Sequence, residues 1–307
     1  WHLGQYFYGK SRAAEHQQFA HWLVQQVKSC EVDAVIVAGD IFDTGAPPSY
    51  ARQLYADILT QLHDAGCITV ILAGNHDSVA VLSETAGLLQ RFHSHVVTTV
   101  SDNVDEQVRV LKNRAGEAIA ILCAVPYIRA RDIVRSEAGL SATERQQQLQ
   151  NAIVAHYQQL HERALALRDS LNKPLPIIAT GHLTALGASK SESVRDIYVG
   201  SLEALPVSAF PDADYIALGH IHRSQSLGKQ EHIRYSGSPI ALSFDELNQP
   251  KTVTLVEFDE SRFTSVQTLE IPSFQALYTL KGCSRSVLTQ LQQLADSVAE
   301  DTTAWLS

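Results

Sequence analysis

At 307 residues and 45% hydrophobic content, the chain can build one large domain, or one domain with an appended piece, around a sizeable core. Its 24 basic against 33 acidic residues give a net charge of −9. That argues against a nonspecific basic coat for nucleic acid, but not against an enzyme whose bound cations bring positive charge to one place. No apolar run approaches membrane-spanning length and no signal peptide is visible, so a membrane protein is not expected.

The first half of the chain alternates helix and strand. Between Ser11 and Ser29, Phe19, Trp22, Leu23 and Val27 recur at helical spacing. Residues 33–38 form a short apolar run that ends in Gly39-Asp40, the pattern of a buried strand. Pro47 and Pro48 open a helix with Tyr50, Leu54, Ile58 and Leu62 on one face; Gly66 ends it, and Cys67 to Ala73 is a second buried strand. Ser78 or Ser83 caps the helix that follows. Residues 95–125 read as strands separated by polar turns. Ser141-Ala-Thr-Glu144 is a capping box at the head of a long helix carrying Leu149, Ile153, Tyr157, Leu160 and Ala164. Pro174 and Pro176 break the chain before strand Ile177–Thr180, which delivers Gly181-His182. Tyr215–Leu218 delivers Gly219-His220, and strands at 232–236 and 252–258 follow. From about residue 273 the pattern changes to a strand near Leu277–Leu280 and an amphipathic helix over 285–299. We divide the chain into residues 1–272 and the beginning of a small second domain, 273–307.

The cysteines Cys30, Cys67, Cys123 and Cys283 form no CxxC pair. Three adjoin apolar runs and read as buried free thiols of a reducing compartment, not as zinc ligands. The chemistry lies in Asp, Asn and His at the ends of buried strands: His2, Asp40, Asn75, His76, His182, His220 and His222. In layered α/β folds, ligands gather at the carboxyl ends of strands, and a glycine before each residue lets the backbone turn and come close. Oxygen and nitrogen donors of this kind suit Mn²⁺, Fe or Zn. Taken singly, Asp40 and Asn75 read as turn residues and His182 as a strand-end histidine; together they read as a metal site. Asp43, three residues after Asp40, is expected to pair with His76 and hold its imidazole charged for work on a phosphate. Lys10, Arg12, Lys190, Arg195 and Arg223 lie near these loops as candidate phosphate contacts or ordinary surface charges. The remaining histidines, His16, His21, His63, His93, His95, His156, His161 and His232, are expected to be solvated or locally paired.

In their order, Gly39-Asp-x-x-Asp43, Gly74-Asn-His-Asp77, Gly181-His182 and Gly219-His-x-His222 resemble the motifs of calcineurin-like metallophosphoesterases. More narrowly, Trp1–Gln5, Gly39–Pro48, Ala73–Ser78, Gly181–Thr184, Gly187–Ser191, Leu218–Arg223, Tyr235–Ile240 and Ser243–Glu246 resemble the bacterial SbcD nucleases within that family. The resemblance implies an α/β fold: a four-layer αββα sandwich with the metals at one edge, followed by the start of a small α+β capping domain. It implies a DNA nuclease that degrades double-stranded ends, cuts single strands and opens hairpins in end processing, repair and recombination, with two divalent ions, typically Mn²⁺. The implied partner besides DNA is an SbcC-type, SMC-like coiled-coil ATPase, with the nuclease a homodimer within a cytoplasmic bacterial heterotetramer. Carried over, His2, Asp40 and His222 hold one metal; Asp40, Asn75, His182 and His220 hold the other; His76 is the catalytic histidine. The family's first Asp, two residues before the first His, would precede Trp1, together with a strand. A phosphatase or nucleotidase with the same metals, and a non-catalytic scaffold for the ATPase, are the rival readings.

Overall fold

The structure, a computed structural model, describes residues 1–134, 139–195, 204–228, 230–259, 262–297 and 304–306. The first helix, α1, is Ala13–Ser29, followed by strand β1 (Ala34–Ala38), helix α2 (Ser49–Asp64), and strands β2 (Ile68–Leu72) and β3 (His95–Val97). Strands β4 (Val108–Lys112) and β5 (Ala118–Cys123) precede the long helix α3 (Ala142–Leu171). Strands β6 (Ile177–His182), β7 (Tyr215–Gly219), β8 (Gln225–Leu227) and β9 (Gln230–Tyr235) come next, and then a hairpin of β10 (Thr252–Asp259) and β11 (Arg262–Glu270).

The small sheet is β1-β2-β3, parallel throughout. The large sheet has the order β8-β9-β7-β6-β5-β4; its four central strands are parallel and both edges are antiparallel. Period-two alternation makes each sheet two-faced. In β2, Val70 and Leu72 enter the core between the sheets, whereas Ile71 packs under α1 and α2. In β5, Ala120 and Leu122 face that same middle core, whereas Ile121 and Cys123 pack against α3. The layers are therefore α1/α2, small sheet, large sheet, α3: the four-layer αββα sandwich expected from the sequence. Val256, Phe258, Phe263 and Val266 of the β10–β11 hairpin pack against the middle core, with Phe263 stacked 6.1 Å from Tyr215.

Most local expectations hold. The capping box forms in both directions: Ser141 Oγ accepts from Glu144 N–H at 3.2 Å, and Glu144 Oε2 accepts from Ser141 N–H at 2.8 Å. Leu149, Ile153, Tyr157, Leu160 and Ala164 are buried as expected, at about 1.5–3 kcal/mol for each large side chain. Ser78, not Ser83, caps the helix after β2. Helix α1 starts at Ala13 because Lys10–Ser11 pair with Tyr6–Phe7 in a two-stranded ribbon. Trp22 and Tyr50 are only half-buried.

Other expectations need correction. His16 and His156 are buried, not solvated. Burial pushes the His16 pKa down to about 3, so the ring is neutral. Cys30 is exposed, because α1 ends at Ser29 and the apolar strand begins only at Ala34; only Cys67 and Cys123 are buried. After the sandwich, β12 (Ala276–Tyr278) pairs in parallel with β13 (Ala304–Leu306), with helix α4 (Ser284–Ser297) between them. None of the described side chains of α4 is buried.

The thiols separate by burial, which holds Cys67 and Cys123 in the protonated form with pKa values up to about 12. At pH 8 a thiol reagent should label Cys30 and Cys283 within minutes and reach the other two only in denaturant; mass spectrometry of labelled peptides checks this.

Candidate metal centre

The chosen residues arrive at one place because parallel strands of both sheets end there. Asp40 lies two residues past β1, and Asn75 and His76 follow β2; His182 closes β6, and His220 lies just past β7. Residues 2–3 are fastened alongside by His2 N–H to Asp40 O and Leu3 N–H to Ile41 O, both 2.9 Å. The approach is so close that glycine is obligatory at two points. A Cβ on Gly74 would lie 2.1 Å from Asp40 Oδ1, and one on Gly219 would lie 1.7 Å from the Ala38 carbonyl oxygen. Three candidate ligands themselves hold left-handed backbone: His2 (φ 53°), Asp40 (φ 50°) and His220 (φ 91°). Each costs on the order of 1 kcal/mol or more, strain of a kind that gathers at functional sites.

Asp40 is the centre. Its Oδ2 lies 3.2 Å from His182 Nε2 and 3.6 Å from His2 Nε2, and its Oδ1 accepts from His76 N–H at 3.1 Å. Two donor groups share it: His2, Asp40 and His76, and Asp40, His182 and His220. Within each, the donor atoms lie within 4.8 Å of one another and all three residues are buried. Asn75 Oδ1 is 2.9 Å from His182 Nε2, which puts it with the second group. The His222 ring packs edge-on 4.9 Å from the His2 ring, on the first side, while His220 packs 5.4 Å from His182, on the second. The alternate histidines of Gly219-His-Ile-His222 thus serve opposite sides of Asp40.

Asp43 has a nearer partner, His2, besides the expected His76. Its carboxylate is 3.3 Å from His2 Nδ1 and 4.0 Å from His76 Nδ1. His76 reaches Asp43 through the main chain instead, Nδ1–H donating to the carbonyl oxygen at 2.7 Å. The loop after Asp40 turns back over His76, so the backbone arrives before the side chain does.

Burial pushes the Asp40 pKa up, but His182 and the other imidazoles outweigh it and hold the carboxyl well below its usual range. Burial likewise lowers the His182 pKa, and Asp40 reverses this so that it ends raised. Burial wins at the others: His2 falls to about 3, His220 to about 2, and His222 is lowered. These rings are neutral at pH 7, the form that ligates metal. The tautomers fit as well. His182 Nδ1–H donates to the Ala38 carbonyl at 2.7 Å, and His222 Nδ1 lies 2.7 Å from Ser193 Oγ, so each ring offers Nε2 to the centre. His220 Nε2 is buried with no hydrogen-bond partner, a lone pair in need of a cation. The donor set therefore suits two divalent ions sharing Asp40.

Two contributions were not legible beforehand. Asp77 is a buried clamp: its carboxylate accepts from Ile41, Phe42 and Gly74 N–H at 3.1, 2.9 and 2.8 Å, tying the Asp40 loop to the Asn75 loop. The only signal was an acid inside the Gly74–Asp77 motif. Tyr127, whose ring lies 6.2 Å from His182, comes from the loop after β5, where nothing marked it. Arg12 must be withdrawn as a surface contact. It is 1% exposed, paired with Glu15, and donates from Nη1 to the Ala241 carbonyl at 2.7 Å.

Residues 1–224 match the family described as calcineurin-like phosphoesterase. The chain belongs to that family, the class which the two-sheet fold and shared carboxylate define. Within it, the chain is 51% identical over 306 residues to SbcD, the D component of the SbcCD nuclease, of Escherichia coli (strain K12), covering 100% of this chain and 75% of the relative. It is 34% identical over 266 residues to the SbcD nuclease of Rhodobacter capsulatus, covering 84% and 64%, and 31% identical over 310 residues to that of Bacillus subtilis, covering 100% and 76%. These similarities put it in the SbcD branch of the family.

Gly74→Ala tests the closeness of approach. The added methyl cannot coexist with Asp40 in its present position, so divalent-cation binding should fall about 100-fold in a chain that still folds, measured by isothermal titration beside circular dichroism.

Proposed function

We propose that this chain is a metal-dependent DNA nuclease that hydrolyses phosphodiester bonds at a pair of cations held by His2, Asp40, Asn75, His182, His220 and His222. Mn²⁺ is the assigned ion, since carboxylate and amide oxygens beside imidazoles suit it. The observation that carries the reading is the sharing of buried Asp40 by two donor groups, one with His2 and His76 and the other with His182 and His220. The relatives bear the name of nuclease, which supports that activity over a phosphatase or nucleotidase.

When bound, the cations supply Lewis acidity that polarises the phosphoester and acidifies water. The chain supplies the rest. Asp40 fixes the spacing between the two sides. His182 and His222 are held in one tautomer, so no proton on Nε2 competes for the site at neutral pH once His182 has given its proton up. His76 keeps Nδ1 bonded to the Asp43 carbonyl, which leaves Nε2 to carry a proton to the departing oxygen. Asp43 steadies the His2 ring and adds negative charge beside His76. Lys190, Arg195 and Arg223 are the assigned phosphate contacts. The charge of Arg195 acts on Asp43 and that of Lys190 on His220, so both approach the centre.

No helix among the described residues is long and apolar enough to cross a membrane. We assign the protein to the bacterial cytoplasm as a homodimer within a heterotetramer with an SbcC-type, SMC-like ATPase. Its activities are assigned as double-strand exonuclease, single-strand endonuclease and hairpin opening during DNA end processing. Residues 273–307 are assigned to a capping domain.

Three outcomes are expected. Circular single-stranded DNA should be cut in Mn²⁺, with the rate on blunt and hairpin ends rising when the ATPase is added; release of phosphate only from free ends would favour a monoesterase. Asp40→Ala should lose both ions and all activity together. His76→Ala should keep both ions while turnover drops about 10²–10⁴-fold; loss of metal with unchanged turnover per bound ion would reassign His76 as a ligand.

A further inference from the structure

The second way in which a candidate ligand is held here is unlike the first. His182 is fixed by a backbone carbonyl, but His222 is fixed by a side-chain relay that starts at a buried carboxylate far along the chain. The Glu246 side chain is 0% exposed. Its Oε1 accepts from Ser191 Oγ at 2.7 Å and Ser193 Oγ at 2.5 Å; its Oε2 accepts from Leu242 N–H at 3.1 Å and Lys251 Nζ at 2.5 Å. Ser193 has one hydroxyl proton, and Glu246 takes it. The Ser193 oxygen must therefore accept from His222 Nδ1–H at 2.7 Å, which sets the tautomer of that ring and leaves Nε2 as its lone pair. Lys251 completes the hold by donating to the His222 carbonyl at 3.2 Å and to Ser238 Oγ at 2.9 Å.

The plain alternative is that Glu246 and Lys251 form a buried ion pair for stability alone. One oxygen would suffice for that. Here Oε1 accepts from Ser243 of its own loop at 3.2 Å and also from two serines of a different loop, one of which touches the candidate ligand. A carboxylate, a serine and a histidine lined up, with the other imidazole nitrogen left free on a ring edge-on 4.9 Å from that of His2, have the form of a second layer around a candidate metal ligand. Resting on the assignment of His222 as a ligand, we propose that Glu246, acting through Ser193, is a positioning residue for one of the two cation sites. The other site, built on His182 and the Ala38 carbonyl, does not depend on this relay. The loop at Ser191–Ser193 also leads to Arg195, so the same anchor ties a candidate phosphate contact to the centre.

The experiment is a Mn²⁺ titration of the full chain, read by electron paramagnetic resonance and calorimetry to resolve the two ions, with metal-free Tm measured alongside. Ser193→Ala and Glu246→Gln should weaken one ion about 10- to 100-fold and leave the other at wild-type affinity. Ser193→Thr, which keeps the hydroxyl, should restore most of the loss. Should Glu246→Gln fail to fold, the half-buried Ser193 carries the test. Wild-type affinity for both ions in Ser193→Ala, or equal weakening of both with a lower metal-free Tm, would overturn the proposal. His222→Ala separates the two layers of inference. If it removes one ion while Ser193→Ala removes none, only the relay is wrong; if it removes none, the ligand assignment fails as well.

Discussion

A carboxylate buried where two sheets meet is the constraint on which the rest depends. Asp40 is 3% exposed, and an unpaired charge at such a position would cost several kcal/mol. The fold answers with positive partners on both sides: His182 in the metal-free state, and room for cations among imidazoles that burial keeps neutral. The strands must end close enough for this to work, which is why a Cβ at Gly74 or Gly219 would overlap other atoms. Left-handed backbone at His2, Asp40 and His220 shows that the sandwich holds these residues against their own preference. Stability in the middle core between the sheets is therefore what sustains the strain at the edge.

Around that carboxylate the histidines are not equivalent. His182 takes its orientation from the main chain of β1, so it is as rigid as the sandwich itself. His76 also leans on a carbonyl, that of Asp43, but from a loop. His222 leans on Ser193 and Glu246, two side chains brought in from opposite flanks. The His182 end of the centre is held by main chain of the paired strands, and the His222 end by side chains of the loop that carries Lys190 and Arg195. A site that must grip ions firmly yet admit a polymeric substrate is well served by that gradient.

The charge distribution fits the same picture. A net charge of −9 would repel nucleic acid over most of the surface, so attraction has to be local. One of the cations nearest the motifs, Arg12, is turned inward to join Glu15 and the Ala241 carbonyl, where it fastens α1 to the chain near residue 241. Burial and a full set of partners make it structural. On the proposed reading, positive charge at the centre comes from Lys190, Arg195 and Arg223 together with bound divalent ions.

Much of this was readable from the chain alone, because local rules dictate it. Apolar runs of five or six residues ending in glycine gave the strands, helical spacing gave α1, α2 and α3, and a capping box marked the start of α3. Residue type at the strand ends gave the candidate ligands, since parallel strands deliver their ends to one side. What the sequence could not decide was distance in three dimensions. Nothing in the spacing of Asp40 and Asp43 says that the second carboxylate turns to His2 while its carbonyl meets His76. Nor does it say that Ser193 donates to Glu246, 53 residues away, beneath His222, or that Arg12 and His16 are sealed inside. Those choices follow from how the loops close over the packed layers, and such closure depends on contacts between segments distant in the chain.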